Sequence, residues 1–163
     1  MVKKYVYGKP YNTGAVIEEV APGKDKLYFE VEKIDGCLNF SCGLLPDELV
    51  YGLGQTMRGI NKRGARYISY NTDDPDHRED MPSLYGSHNF VVVGDRFGAF
   101  FDTPSKVVFD IDVDGSAKLN VLCHTADVNL YIVESGSAYG TVKEFLKIIG
   151  KSYIPPLWAF GFG

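Results

Sequence analysis

Apolar and polar residues alternate along much of this chain. Residues 27–34 read LYFEVEKI, with Leu27, Phe29 and Val31 on one face and Glu30 and Glu32 on the other. A period of two is the mark of a half-buried strand. Asp35-Gly36 then supplies hairpin-turn chemistry, and residues 37–41 (CLNFS) return as the partner strand. The same rhythm predicts strands at 90–93 and 97–101 around Gly94-Asp95, and at 106–113 and 118–123 around Asp114-Gly115. Residues 127–134 (DVNLYIVE) form one more alternating strand. Short strands at this spacing, separated by turn signals, predict a sandwich or barrel.

One stretch keeps a different period. In residues 137–149, Val142, Phe145, Leu146 and Ile149 recur at i, i+3, i+4 and i+7, which predicts an amphipathic helix closed by Gly150. Tyr153-Ile154-Pro155-Pro156 must then run extended, because proline restricts the residue before it. Residues 157–163 (LWAFGFG) are apolar throughout and predict a strand buried on both faces. That strand either opens a second, parallel α/β domain or forms a last edge of the first. The stretch between Gly43 and Tyr85 is less regular and contains a long acidic segment, TDDPDHREDMP, at 72–82. Long loops in compact domains are often functional.

Composition supports the all-β reading. The chain has 11 Tyr, 10 Phe and 18 Gly in 163 residues, the mixture that strands and tight turns favour. A net charge of −4 argues against nucleic acid as a partner, since phosphate binding needs a concentrated basic face. The close basic group Arg58, Lys62, Arg63 and Arg66 is expected to be a solvated loop. No apolar run nears the roughly 20 residues that span a bilayer. The opening MVKKYVYGKP lacks the apolar core of a secretory signal, so a cytoplasmic location is expected. Cys37, Cys42 and Cys123 lack paired spacing and are expected to be free thiols.

Three chemistries merit testing against the spacing. Residues 110–115 (DIDVDG) open like a calcium loop, but Val121 stands where a bidentate Glu is required. Gly52-Leu53-Gly54 begins a dinucleotide fingerprint whose third glycine is Met57. His77, His88 and His124 lack metal-ligand spacing, so neither metal nor cofactor is expected. The acidic segment, with Asp73, Asp74, Asp76, Glu79 and Asp80, reads either as a solvated loop or as carboxylates accepting hydrogen bonds from sugar hydroxyls. In the second case Tyr67, Tyr70 or Tyr85 would offer stacking faces.

Four segments in order carry a resemblance. Tyr51-Gly52-Leu53-Gly54-Gln55 resembles the YGLGE segment of glycoside hydrolase family 31 α-glucosidases. Residues 84–90 (LYGSHNF) resemble that family's LYGxHPF, and 97–105 (FGAFFDTPS) its GVFLLNSNA stretch. Residues 154–163 are similar to the PPxWALGF approach to its catalytic barrel. Gln55 and Asn89 depart from the usual Glu and Pro.

The resemblance implies an antiparallel, galactose-mutarotase-like β-sandwich over residues 1–153. Residues 154–163 would be a linker and the first strand of a (β/α)8 barrel. It implies retaining hydrolysis of α-glucosides by the whole enzyme, with both catalytic Asp residues on the barrel, so this chain alone should be inactive. It also implies that a sandwich loop reaches the mouth of the active site. Asn71-Thr72-Asp73 fits the family's N-x-D pattern there, making Asp73 the expected substrate contact, with Asp74 beside it. The expected partners are the barrel, the α-glucoside and, through the face a barrel would cover, a second copy. The alternatives are a stand-alone carbohydrate-binding module or an assembly domain.

Overall fold

A computed structural model describes residues 1–163 except 25, 26, 72, 83, 162 and 163. Ten strands form two five-stranded antiparallel sheets. The first has the order β1 (Val2–Tyr7), β10 (Val128–Val133), β7 (Phe97–Asp102), β6 (Ser87–Val93) and β4 (Val50–Gly54). The second has the order β2 (Glu30–Ile34), β3 (Cys37–Gly43), β9 (Lys118–Cys123), β8 (Val107–Ile111) and β5 (Ala65–Ser69). One helix, α1 (Ala138–Ile149), follows the last strand.

The two sheets meet over aromatic rings. Phe40 packs edge-on to Phe101 at 5.2 Å, Phe29 to Phe97 at 5.6 Å, and Phe101 to Phe109 at 5.8 Å. Edge-to-face rings gain attraction beyond their buried area. These five rings are half of the ten phenylalanines in the chain. The β2–β3 hairpin turns at Asp35 and Gly36, both with positive φ, as a two-residue turn of matching twist requires.

A second apolar layer covers the outer face of the first sheet. Phe90, Val92, Phe100, Tyr131 and Val133 point away from the sandwich core and pack under Phe145 and Ile148 of α1. Phe90 and Phe145 stack at 3.8 Å, nearly parallel. Strand β10 is therefore buried at all six positions, whereas alternation predicted one solvated face. The helix lies where expected, capped by Ser137, whose side chain accepts from the Gly140 amide. Its buried face differs, being Thr141, Phe145 and Ile148, while Val142 and Leu146 are exposed. Phe90 and Phe100 determine that rotation by receiving the Phe145 ring between them.

Two further expectations are corrected. The β8–β9 connection is not a two-residue Asp-Gly turn. The strand stops at Ile111, and residues 112–117 form a loop with a 3-10 turn at Val113–Gly115. The Asp112 carboxylate holds that loop by accepting from the Ala117 amide and the Arg63 guanidinium. At the other end, Leu157–Phe160 form a 3-10 turn, not a strand, while residues 162 and 163 lie outside the described residues. No described strand lies alongside to give this segment a ladder, and Ile154, Leu157 and Trp158 are over 80% exposed.

Candidate functional site

The acidic segment connects the edge of one sheet to the middle of the other. It leaves β5 at Ser69 and enters β6 at Ser87. Apolar anchors fix its far half, since Met81 and Leu84 are buried and the Ile68 amide donates to Pro82.

Its near half is braced by side chains. The Asn71 amide donates to the Tyr85 carbonyl at 2.7 Å, and its Oδ1 accepts from Ser87 Oγ at 2.6 Å. The Tyr85 hydroxyl reaches back to Asp73 Oδ1 at 3.3 Å and to the Asp74 carbonyl at 3.0 Å. The Asp74 carboxylate accepts the Asp76 amide at 3.0 Å, a local Asx turn. The His77 ring sits edge-on to Tyr85. Thr72, the middle of the N-x-D pattern, lies outside the described residues.

The YGLGQ segment supports this brace from below. Gly52 and Gly54 have positive φ and flank a register shift against β6. A Cβ on Gly54 would lie 2.2 Å from the Gly86 carbonyl oxygen, and one on Gly52 2.3 Å from that of Phe90. This bulge lets Gln55 meet Gly86 twice. Its amide donates to the Gly86 carbonyl at 2.9 Å, and its Oε1 accepts the Gly86 amide at 3.2 Å. The acceptor role needs only an oxygen, so the neutral Gln55 side chain fills it.

Electrostatics separate structure from chemistry. Asp73 is exposed and Asp74 half-buried, and they are neighbours on one loop. They do not flank a shared cavity as a glycosidase acid and nucleophile must. Burial and then the Asp73 hydrogen bond push the Tyr85 hydroxyl above its ordinary pKa, so the phenol remains a donor. Tyr67 is removed from the stacking candidates, because it is only 2% exposed and faces the core. Tyr70 and Tyr85 remain exposed.

The basic group is not a solvated loop. Lys62 is buried, its ammonium donating to Thr56 Oγ1 and the Gly59 carbonyl, and desolvation lowers its pKa. Arg63 donates to three carbonyls of the 45–48 turn as well as to Asp112. Arg66 pairs with both oxygens of Asp110. The first two carboxylates of the calcium-like run are thus held by arginines. Among the described residues no group of His, Cys, Asp or Glu is placed to hold a metal. The cysteines carry free thiols, and burial pushes Cys42 up to about 11 and Cys123 up to about 12.

Sequence reasoning singled out Asp73 and Asp74 but did not anticipate that Ser87 and Gln55 brace the loop that carries them. Their neighbours in the YGLG and LYGS segments were the available signal. No described helix is long and apolar enough to cross a membrane.

Comparison with known proteins gives consistent matches. The family model for the glycosyl hydrolase 31 N-terminal galactose mutarotase-like domain matches residues 16–110. An α-glucosidase of Saccharolobus solfataricus is 30% identical over 118 residues, covering 71% of this chain and 17% of that protein. Alpha-glucosidase 2 of Bacillus thermoamyloliquefaciens is 26% identical over 152 residues, covering 88% and 18%. A glycoside hydrolase family 31 dextranase of Flavobacterium johnsoniae, solved with isomaltotriose, superposes with a TM-score of 0.74 at 26% identity. That match covers 81% of this chain and 16% of the dextranase. The chain therefore spans under a fifth of each of these relatives.

Proposed function

Because the chain belongs to the glycosyl hydrolase 31 N-terminal galactose mutarotase-like domain family, we propose that it is the non-catalytic sandwich of a retaining α-glucosidase. In the whole enzyme the sandwich packs on a (β/α)8 barrel that holds both catalytic carboxylates. The loop after β5 reaches the mouth of that barrel, and Asp73 accepts a hydrogen bond from a substrate hydroxyl, with Asp74 beside it.

One observation carries this reading. Asp73 Oδ1 is tied to Tyr85, while its other oxygen has no partner among the described residues, and the residue as a whole is exposed. A carboxylate held at one oxygen and open at the other is pre-organised to receive a ligand hydroxyl. The exposed Ile154, Leu157 and Trp158 support the barrel as the main partner, since large bare apolar patches mark interfaces. In this reading residues 154–163 supply the linker and the first barrel strand, which forms once neighbouring strands give it a ladder.

The test is kinetic. In the full-length enzyme, Asp73→Asn should lower kcat/KM on maltose by about tenfold to a hundredfold, as loss of one charged hydrogen bond predicts. Tyr85→Phe should show a smaller effect in the same direction. The 163-residue chain alone should not turn over p-nitrophenyl α-glucoside. Unchanged kinetics in Asp73→Asn would remove the loop from the substrate site, and turnover by the isolated chain would overturn the non-catalytic assignment.

A further inference from the structure

The outer face of the first sheet carries a second concave site that the proposed function does not use. The segment from Pro10 to Val20 crosses that face as a strap. It is tied to the sheet where Thr13 Oγ1 donates to Asp102 Oδ1 at 2.5 Å, and to α1 where the Ile17 amide donates to the Ile148 carbonyl at 2.9 Å. At its end the Lys4 amide donates to the Ala21 carbonyl. Between strap and sheet lies a cavity of about 510 Å³, lined among others by Lys4, Asn12, Glu19, Asp102, Asn129 and Tyr131. That volume is in the range of small-molecule sites.

Its floor is polar where a sheet face under a strap should be apolar. Asn129 of β10 and Asp102 of β7 are direct cross-strand partners, 8% and 5% exposed. The Asp102 carboxylate has one hydrogen bond among the described residues, from Thr13. The Asn129 side-chain amide has none with any described residue, although nearly all of the residue is buried. Its polar atoms are not sealed, since the only fully buried side-chain atom without a partner among the described residues is Asn89 Oδ1. The Asn129 amide therefore opens onto the cavity it lines. Buried polar groups are normally paired, and an unpaired one costs stability that a ligand can recover.

We propose that this groove is a binding site for a neutral polyhydroxylated ligand of mono- or disaccharide size. The amide offers both a donor and an acceptor, and the carboxylate beside it offers acceptors. Side chains directly opposite on antiparallel strands stand about 5 Å apart at Cβ, a spacing that serves two adjacent hydroxyls. The charges in the groove disfavour an anion. Lys4 (+1) stands against Glu18, Glu19 and Asp102 (−3), a net of −2. The Lys4 ammonium lies over the Tyr131 ring, which is itself buried, so no aromatic platform is open. Binding is consequently weak and rests on hydrogen bonds.

The experiment uses the isotope-labelled 163-residue chain, titrated with methyl α-glucoside, maltose and isomaltose while amide resonances are followed. The Asn129 side-chain NH2 pair should shift saturably with a dissociation constant of about 1–10 mM. Asn129→Leu should weaken this at least about tenfold with the rest of the spectrum preserved. If that variant does not fold, Asn129→Asp keeps the shape, removes the donor and sets a second carboxylate beside Asp102, and it should weaken binding likewise. Asp73→Asn should leave this titration unchanged, which separates the groove from the loop. The proposal is overturned by an NH2 pair that none of the three sugars shifts, by shifts confined to residues 71–85, or by unchanged affinity in the Asn129 variants.

Discussion

His88 shows how one residue can mix legible and illegible information. Gly86-Ser87-His88 reads as a turn entering a strand at Phe90, yet β6 begins at Ser87 and includes His88. The sequence could not reveal that its ring stacks on Phe100 and meets the edge of Phe145. These contacts desolvate the imidazole and lower its pKa below the 6.5 of an unfolded chain. Below that value the unfolded state takes up a proton that the folded state resists, so stability falls as pH drops below about 6.5. His88→Phe should flatten the urea midpoint between pH 7 and pH 5, relative to the parent chain. An equal slope in both proteins would show that other groups set the acid sensitivity. Asp73 was legible as a short motif, but the Tyr85 hydroxyl that holds it lies 12 residues further on. Only folding brings such pairs together. Lys62 misled for the complementary reason, because a lysine reads as solvated until Thr56 and Gly59 are seen to enclose its ammonium.

For the elements, period was the reliable signal, turn chemistry held at Asp35-Gly36 but not at Asp114-Gly115, and the choice of face was not legible. The helix was legible from its 3.6-residue repeat, yet the face it buries was set by partners remote in sequence. Thr141 is fully buried because it packs over Gly98 of β7, where a Cβ would come within 2.6 Å of Thr141 Cγ2 and 2.8 Å of the Phe90 ring. Gly98→Ala should therefore destabilise the fold by about 1–3 kcal/mol, the cost of overpacking a filled site. Adding Thr141→Ser, which removes Cγ2, should recover part of that loss in urea unfolding. If Gly98→Ala alone is neutral, α1 rides on the sheet more loosely than its packing indicates. Strands β1, β4 and β5 were the hardest to read. Bulge glycines interrupt β4, and β5 occupies an edge beside an irregular loop, so neither shows a long alternation.

Across the whole molecule, an all-β sandwich with one added helix was legible because aromatic strands and glycine turns agree with it throughout. The second apolar layer was not. It requires knowing that the helix and the 10–20 strap cover the same sheet face, and the groove around Asn129 lies between that strap and the sheet. The bare segment after α1 also acts at this scale. Deleting residues 154–163 should reduce self-association of the isolated chain, measured by light scattering at micromolar to millimolar concentration. Scattering that is the same with and without the segment would shift attention to the exposed Val142 and Leu146 of α1.

The pairing of β1 with β10 has a consequence for how the chain is made. Met1 is tied to Glu134, and Val2 lies opposite Val133. Within the sandwich, β1 thus waits for β10, the last of the ten strands described. At about 5–20 residues per second, β1 spends roughly 6–26 s without its ladder partner. The second sheet is complete once β9 emerges, so it can assemble while the first is still open. During that interval the nascent chain presents an unpaired strand whose two lysines, Lys3 and Lys4, discourage pairing with another chain. Closure of the domain is therefore a late, long-range event, timed by translation.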